Sequence, residues 1–224
     1  MPPPGLRARV GIGSRAEFAL VGRDGANAIV GAVRRVAPAR PPLDWLDFGC
    51  GCGRIARYLL ESDAVATYAG VDVDAPQVAW AARNLAGRFA LMRGQPPLPF
   101  PDGAFDVAVA VSVFTHFSEE EQFAWLAEIR RVLKPGGLLV ATTLSPENAA
   151  GTPGLTADEL GSLHRRGFLA ADHGSTTFNE RSTFHALAYL RNAWSETFEF
   201  RHHEPRGFVR YQDLSVWAKP AVAR

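Results

Sequence analysis

Cysteine is scarce in this sequence of 224 residues, which contains two, Cys50 and Cys52, separated by a single residue. A disulfide needs a specific arrangement of Cα and Cβ atoms that two cysteines so close on a tight loop rarely reach. We therefore expect no disulfide framework. This is typical of a protein from a reducing compartment and favours a cytoplasmic location.

Long apolar runs are also missing. No segment approaches the roughly 20 consecutive apolar residues that a membrane-spanning helix needs. The start of the chain, residues 1–7, is rich in proline and has no apolar core long enough for a signal peptide. We expect a soluble protein with no membrane partner.

Neither sign of charge is in excess, because 24 Lys and Arg residues face 23 Asp and Glu residues, for a net charge of +1. Binding to a phosphate backbone needs a concentrated basic surface. The balance therefore disfavours a nucleic-acid partner, and we expect a monomer or a homodimer.

Strands and helices alternate up to Leu144, which predicts a doubly wound, mostly parallel α/β sheet of seven strands. Beyond Leu144, a polar stretch punctuated by Gly and Pro predicts an insertion after the fifth strand, and two last strands predict an antiparallel C-terminal hairpin. The predicted strands cover residues 43–48, 67–73, 89–93, 105–113, 138–143, 197–203 and 208–218.

The predicted helices cover residues 14–37, 54–60, 76–85 and 184–194, together with one that begins after Ser118. Ser118 is a predicted N-cap, and Glu121 completes a capping box. That helix is predicted to end at the turn Lys134-Pro135-Gly136-Gly137. Residues 1–14 are predicted to form an arm or a poorly ordered lead-in.

Three glycines, Gly49, Gly51 and Gly53, stand between a predicted strand and a predicted helix. Without a Cβ atom they allow a sharp turn and let a ligand lie against bare main chain. A dinucleotide fingerprint would need its third glycine at position 54, where this chain has Arg54, and no Gly-Lys-Ser/Thr of a P-loop follows. A plain strand–helix turn is the remaining structural alternative.

The run Asp47-Phe48-Gly49-Cys50-Gly51-Cys52-Gly53 resembles motif I of the class I S-adenosylmethionine-dependent methyltransferases. Residues 98–106 and 131–137 resemble later signatures of the same family, so that the resemblance covers about residues 43–143. It implies a Rossmann-like methyltransferase fold and S-adenosyl-L-methionine as the cofactor.

The resemblance also implies a set of cofactor-binding residues. Asp72 ends the second strand, where an acidic side chain binds a ribose diol, and Asp74 is expected to be a turn or helix cap. Many relatives carry Gly-Asp after the third strand for the adenine, whereas this chain has Gly94-Gln95. The expected cofactor-binding residues are Asp47, Phe48, Gly49, Cys50, Gly51, Gly53, Asp72, Val73, Gln95, Ser112, Val113 and Phe114.

His116 follows the fourth strand, at the edge of the sheet where reactive residues of open α/β sheets lie. Its side chain has an ordinary pKa suited to a general base, and His116 is the candidate catalytic residue. The alternative is a histidine that only packs beside the cofactor. Phe114 and Phe117 are candidates for lining a sulfonium pocket, because aromatic faces attract cations.

The polar insertion offers candidates for contacts with the methyl acceptor, namely His173, Asn179 and His185. A metal site is not expected. His202 and His203 are adjacent on a predicted strand and therefore point to opposite faces, and no spacing resembles that of zinc ligands.

Four segments follow from these expectations. Residues 1–37 form an N-terminal arm and a capping helix, and residues 38–144 form the cofactor-binding core. Residues 145–195 form an insertion or lid that contacts the acceptor, and residues 196–224 complete the sheet. Arg9 and Arg15 are candidate partners for the cofactor carboxylate.

The sequence therefore predicts an enzyme that transfers a methyl group to oxygen or nitrogen of a small-molecule, sugar or glycan-type acceptor. Two alternatives remain open. One is a methyltransferase-like protein that binds the cofactor without turnover, and the other is a nicotinamide-dependent oxidoreductase, which the position of Arg54 disfavours.

Overall fold

The computed structural model describes residues 1–38, 42–172 and 181–221, over which the strands form one large sheet and one small sheet. The large sheet has seven strands, as predicted, and the small one has two. The strands are β1 Leu43–Phe48, β2 Val65–Asp72, β3 Arg88–Leu91, β4 Phe105–Ala110, β5 Leu133–Thr143, β6 Phe168–Asp172, β7 Arg181–His185, β8 Glu199–Phe208 and β9 Gln212–Ala218.

The large sheet has the strand order β3-β2-β1-β4-β5-β9-β8. Strands β1 to β5 run parallel, whereas β9 runs antiparallel to both β5 and β8. This confirms the predicted doubly wound sheet with an antiparallel C-terminal hairpin. The strand order reverses between β1 and β4, and in open α/β sheets ligands bind beyond the carboxyl ends of the strands at such a point.

Helices cover both faces of the sheet and begin at residues that suit helix starts. Ser118 and Glu121 form the predicted capping box, and the side chain of Asp74 accepts from the main chain of Gln77. The helices are α1 Pro4–Arg9, α2 Arg15–Val36, α3 Ala56–Leu59, α4 Ala75–Asn84, α5 Glu119–Val132, α6 Pro146–Ala150, α7 Ala157–Arg166 and α8 Leu187–Ala193, with 3₁₀ helices at Phe114–His116 and Trp194–Glu196.

Alternate side chains of the strands supply two separate cores. On β1, Trp45 packs with α2 and α3, whereas Leu46 and Phe48 pack with α5 on the opposite face. This is the period of two expected of a strand that is buried on both faces. The two layers fix the strand ends and therefore the position of the loops beyond them.

Lys134 and Arg131, two basic residues of the later signatures, form ion pairs within the protein that stabilise the sheet. Lys134 Nζ lies 2.8 Å from a carboxylate oxygen of both Asp44 and Asp106, near the amino ends of β1 and β4. Arg131 pairs with Glu128 and Asp102 and donates to the carbonyl oxygen of Phe100. These residues hold the ends of strands and a loop at fixed positions.

Several predicted boundaries were wrong. The predicted arm contains the helix α1, whose residue Arg7 donates to the carbonyl oxygens of Pro2 and Gly13. Strand β4 ends at Ala110 instead of continuing to residue 113. Helix α5 ends at Val132, because Leu133 already pairs with Phe105 as the start of β5.

The insertion after β5 folds into α6, α7 and the two-stranded antiparallel sheet of β6 and β7. Phe184 lies in β7, not in the helix predicted over 184–194, which begins only at Leu187 as α8. The main-chain nitrogen of His185 donates to the carbonyl oxygen of Leu144 at 2.7 Å. This contact joins the small sheet to the end of β5.

Two fully buried tryptophans allow a test of what an unpaired indole N–H costs. Trp217 Nε1 donates to Ser215 Oγ at 2.8 Å, whereas Trp194 Nε1 has no partner among the described residues. We expect Trp217→Phe to lower the free energy of unfolding by about 1–2 kcal/mol more than Trp194→Phe, because only the first change breaks a buried hydrogen bond. Urea unfolding of both variants measures the difference, and equal losses would contradict it.

Candidate active site

The glycine loop that follows β1 is shaped by three left-handed residues. Gly49, Gly51 and Gly53 have φ angles of 81°, 53° and 74°, which favour glycine. A Cβ atom on Gly49 would lie 2.4 Å from Val113 Cγ2, and one on Gly53 would lie 2.2 Å from Leu85 Cδ1. The loop therefore needs glycine both for its backbone and for its close packing.

The carboxylate of Asp72 holds the glycine loop against the end of β2. One oxygen accepts from the main-chain nitrogen of Gly51 at 2.7 Å, and the other accepts from that of Asp74 at 2.9 Å. Burial raises the pKa of Asp72 above its ordinary value, although these hydrogen bonds oppose the shift. Each oxygen retains a lone pair for a further donor.

Asp74 caps α4, as predicted, and it also fixes the side chain of Gln77. Its carboxylate accepts from Gln77 Nε2 at 3.0 Å and from Arg9 Nη1 at 2.6 Å. Burial opposes ionisation, but these two donors outweigh it and lower the pKa of Asp74. Gln77 Oε1 is buried and has no partner among the described residues, so it is a free acceptor beside Gly51.

Residues 1–13, which we call the N-terminal strap, lie against the glycine loop. Besides the ion pair between Arg9 and Asp74, the guanidinium of Arg54 approaches the carbonyl oxygen of Val10 at 3.4 Å. Cys52 Sγ donates to the carbonyl oxygen of Leu6. The strap thus closes one side of the site that the glycine loop borders.

Asp47 lies at the end of β1 with 3% of its surface exposed. It accepts a hydrogen bond from the hydroxyl of Tyr68. Burial raises the pKa of Asp47 to about 7, an effect that the Tyr68 hydrogen bond reduces and the charge of Asp72 increases. Near neutral pH, this side chain therefore exchanges readily between its charged and uncharged forms.

His116 sits in the 3₁₀ helix Phe114–His116, where β7 of the insertion approaches it. Its Nδ1 atom lies 2.8 Å from the carbonyl oxygen of Arg181. Because a carbonyl oxygen can only accept, Nδ1 carries the hydrogen, and in the neutral ring Nε2 holds the lone pair. Burial lowers the pKa of His116, although the hydrogen bond opposes the shift, and this favours the neutral ring.

A hydrogen-bonded group joins the ends of β4 and β5 to the start of β9. The main-chain nitrogen of Ser112 donates to Thr142 Oγ1 at 2.8 Å. The hydroxyls of Ser112 and Thr142 then donate to Gln212 Oε1 at 3.0 and 2.7 Å. Ser112 adopts a left-handed φ of 57°, which is rare for a residue with a side chain and is often found at functional sites.

A cavity of about 780 Å³ connects these groups at the carboxyl ends of the strands. Its size is within the range of small-molecule and cofactor sites. Of the residues that the sequence suggested for cofactor binding or catalysis, the cavity is lined by Asp47, Gly49, Cys50, Gly51, Asp72, Val73, Ser112, Val113 and His116.

Arg9 and Phe117, which the sequence also suggested, line the cavity as well, whereas the remaining suggested cofactor residues do not. Phe48 and Phe114 are completely buried in the core beside α5, where Phe48 packs on Trp125. Gly53 faces Leu85. Gln95 is exposed, and its neighbour Gly94 reaches the cavity instead.

The acceptor candidates have separate outcomes. His185 is buried among aromatic rings and does not line the cavity. Its Nε2 atom lies 2.9 Å from Gln122 Oε1. Burial lowers its pKa to about 3, so it stays neutral. His173 and Asn179 lie outside the described residues.

Both cysteines of the glycine loop are buried, and burial raises the pKa of each thiol, to about 11 for Cys52. A thiol is nucleophilic only as the thiolate. Cys50 and Cys52 are therefore small residues of a crowded turn. Gln77 and Gln212 also line the cavity, although no motif in the sequence indicated either of them.

Residues 46–141 match a protein-family model described as "Methyltransferase domain". The chain is 33% identical over 163 residues to phthiotriol/phenolphthiotriol dimycocerosates methyltransferase 1 of Mycobacterium ulcerans, covering 66% of this chain and 57% of that protein. The chain therefore carries a methyltransferase domain over residues 46–141, and its relatives support a class I S-adenosylmethionine-dependent methyltransferase. It is also 38% identical over 116 residues to demethylmenaquinone methyltransferase of Thermus thermophilus, covering 50% of this chain and 51% of that protein.

This methyltransferase chain spans about half the length of the curated relatives it matches. Among solved structures, it resembles 1,6-didemethyltoxoflavin-N1-methyltransferase of Burkholderia thailandensis with bound 1,6-didemethyltoxoflavin and S-adenosylhomocysteine. The TM-score is 0.59 at 18% identity, with coverage of 98% of this chain and 92% of the other. That likeness establishes the shared fold.

Two further findings apply to residues 1–38, 42–172 and 181–221. In those ranges, no three His, Cys, Asp or Glu side chains group closely enough to hold a metal ion. No helix there has the length and apolar character needed to cross a membrane.

A methyl group added to the glycine loop should lower the stability of the protein. We expect Gly49→Ala to lower the melting temperature, because its Cβ would clash with Val113 and its φ of 81° strains an L-residue. Gly31→Ala is the matched control. Position 31 lies in α2 with open space around the Cβ position, so we expect this change to add about 0.5–1 kcal/mol to the free energy of unfolding. Thermal unfolding measures both, and a Gly49→Ala variant as stable as the control would contradict the expectation.

The raised pKa of Asp47 predicts how stability depends on pH. The folded state holds this proton up to about pH 7, whereas the unfolded state releases it near pH 4. Stability from this group is therefore present at low pH and is lost as the pH rises from about 4 to 7. We expect Asp47→Asn to remove that loss. Urea unfolding at pH 5 and pH 8 measures it, and equal pH dependence in both proteins would contradict the assignment.

Proposed function

We propose that this protein transfers a methyl group from S-adenosyl-L-methionine to oxygen or nitrogen of a small-molecule or sugar-type acceptor. The observation that carries the proposal is one cavity lined by the glycine loop, by Asp72 and by a histidine with a defined tautomer, His116. When bound, the cofactor supplies a methyl group on a sulfonium centre.

The nucleoside part of the cofactor fits the side of the cavity near β2. Asp72 can accept hydrogen bonds from ribose hydroxyls in addition to those from Gly51 and Asp74. Gln77 lines the cavity at the same place, and its Oε1 atom is buried without a partner among the described residues. Met92 and Gly94 line the wall where the adenine would lie.

The other end of the cofactor fits the region of Asp47 and Arg54, which line the cavity beside the glycine loop. A cationic ammonium group would favour the ionised form of Asp47, and Arg54 could bind a carboxylate. Arg9 is engaged with Asp74. We therefore assign it to closing the strap over the site rather than to the cofactor carboxylate.

His116 would act as the general base. As the acceptor oxygen or nitrogen forms its bond to the methyl carbon and the carbon–sulfur bond breaks, the proton of the acceptor passes to Nε2. The hydrogen bond from Nδ1 to Arg181 keeps this lone pair on Nε2 and stabilises the charge that the ring gains. S-adenosylhomocysteine is the second product.

The relatives include proteins named for phthiotriol dimycocerosates and for demethylmenaquinone, so their names do not specify one acceptor class. We propose that the insertion borders the acceptor, since β7 contacts His116 and Asn148 of α6 donates to the carbonyl oxygen of Tyr211 at the cavity. An acceptor panel should therefore contain phenols, hydroquinones, fatty acids, sugars and amines.

Replacement of His116 tests the catalytic role. We expect His116→Ala to lower kcat at least 100-fold with little change in the Kd of S-adenosylhomocysteine, because a general base acts on the acceptor proton. The wild-type kcat/KM should rise with pH up to a point below pH 6.5, since the pKa of His116 is lowered. Release of S-adenosylhomocysteine measures turnover, and titration calorimetry measures the Kd.

His164→Ala is the matched control, because His164 is an exposed histidine on α7. Turnover near the wild-type level in His116→Ala, with weaker cofactor binding, would show that His116 is a structural residue. A protein that binds S-adenosylhomocysteine but methylates none of the panel would favour the alternative of binding without turnover. Failure to bind the cofactor would overturn the proposed function.

A further inference from the structure

The side chain of Gln212 is fixed in one orientation at the start of β9. Thr142 Oγ1 accepts from the main-chain nitrogen of Ser112 and uses its own hydrogen toward Gln212 Oε1, 2.7 Å away. The hydroxyl of Ser112 donates to the same oxygen at 3.0 Å. With its oxygen bound twice, the amide must present its nitrogen on the other side.

That nitrogen is a free donor at the cavity. Gln212 is only 8% exposed and lines the cavity. Its Nε2 atom has no hydrogen-bond partner within the described part of the chain. Unlike Gln77 Oε1, which is buried, this atom is accessible to solvent. Two N–H groups are therefore available to a ligand atom that accepts hydrogen bonds.

The place of Gln212 in the sheet separates it from the nucleoside end of the cavity. Its amide lies above the ends of β4 and β5, where Ser112 and Thr142 hold it, whereas Asp72 ends β2. With strands about 4.8 Å apart, β2 and β5 are roughly 14 Å apart. Gln212 is thus on the acceptor side of the cavity.

Apolar side chains line part of the cavity that Gln212 borders. Phe208 at the end of β8, Val209 in the turn that follows it, and Phe117 line the same cavity, and Tyr211, which also lines it, is exposed. In such a lining, a few placed polar groups determine the orientation of a ligand. An acceptor with a flat apolar body and an oxygen at one end matches this wall.

We propose that Gln212 forms an acceptor subsite that binds a carbonyl, carboxylate or phenolic oxygen of a flat, apolar acceptor. The subsite rests on the proposed function, because it orients the acceptor whose proton His116 removes. Gln212 is a positioning and specificity residue. It lies outside residues 46–141, which match the methyltransferase family model.

Gln212→Glu tests the subsite with little change in shape. The hydroxyls of Ser112 and Thr142 can still donate to the glutamate, but both N–H donors are replaced by a negative charge. The probes are benzoate and benzylamine, which share a ring and differ in the group they present. Their Kd values are measured by ligand-observed NMR with protein saturated by S-adenosylhomocysteine at pH 8.

We expect the wild type to prefer benzoate and Gln212→Glu to weaken benzoate binding at least 10-fold relative to benzylamine. The Kd of S-adenosylhomocysteine should change less than twofold. Asn192→Asp, which adds the same charge on the exposed surface of α8, should behave as the wild type. If Gln212→Glu does not fold, Gln212→Met removes the donors without charge and should also lose benzoate binding.

The outcomes distinguish the two proposals. An unchanged preference in Gln212→Glu, or a wild type that binds S-adenosylhomocysteine but neither probe, would overturn the subsite alone. A large loss of S-adenosylhomocysteine affinity in Gln212→Glu would assign the amide to the cofactor and also overturn the subsite. A wild type that does not bind S-adenosylhomocysteine would overturn the proposed function and the subsite together.

Discussion

The site depends on the main-chain hydrogen bonds that the carboxylate of Asp72 accepts. The carboxylate binds one main-chain N–H from the glycine loop, at Gly51, and one from the start of α4, at Asp74. Both segments follow strands whose carboxyl ends lie side by side, because β1 and β2 are parallel neighbours. Because the register of β1 and β2 is fixed, the side chain of Asp72 also fixes the glycine loop and the start of α4 relative to each other. Asp74 extends this connection to Gln77 and to Arg9 of the strap.

Three carboxylates at this edge differ in pKa because their surroundings differ. Asp74 receives a guanidinium and an amide and is stabilised as an anion, whereas burial raises the pKa of Asp72 and, further, that of Asp47. Three full negative charges in a cavity of low dielectric constant would repel one another. The arrangement instead leaves Asp47 able to gain charge when a cation arrives.

The part of the fold between residues 43 and 144 was predictable because its signals are local. Apolar runs mark β1 and β4, and the glycine spacing and the capping box at Ser118 each lie within a few positions. The strap was not predictable, because contacts between residues far apart in the sequence anchor it, namely those of Arg9 with Asp74 and of Cys52 with Leu6. The start of β5 was missed for a similar reason. Lys134, Gly136 and Gly137 resemble a helix end, yet the two glycines exchange main-chain hydrogen bonds with Lys219, which follows β9, and this draws them into the sheet.

The candidate site likewise has one part that local sequence signals indicate and another part that long-range contacts assemble. The side that we propose for the cofactor consists of residues that a short motif specifies, with Gln77 added by α4. The tautomer of His116 depends on Arg181, 65 positions away, and the orientation of Gln212 depends on Ser112, 100 positions away. Such contacts leave no periodic or short-range pattern in a single sequence. The elements that supply them, the insertion and the hairpin of β8 and β9, lie outside residues 46–141. Loops and added elements on a fixed sheet are where enzymes of one fold diverge in substrate. Under the proposed function, relatives that share the glycine loop can therefore hold the cofactor alike and still differ in the acceptor, because separate parts of the chain assemble the proposed acceptor side.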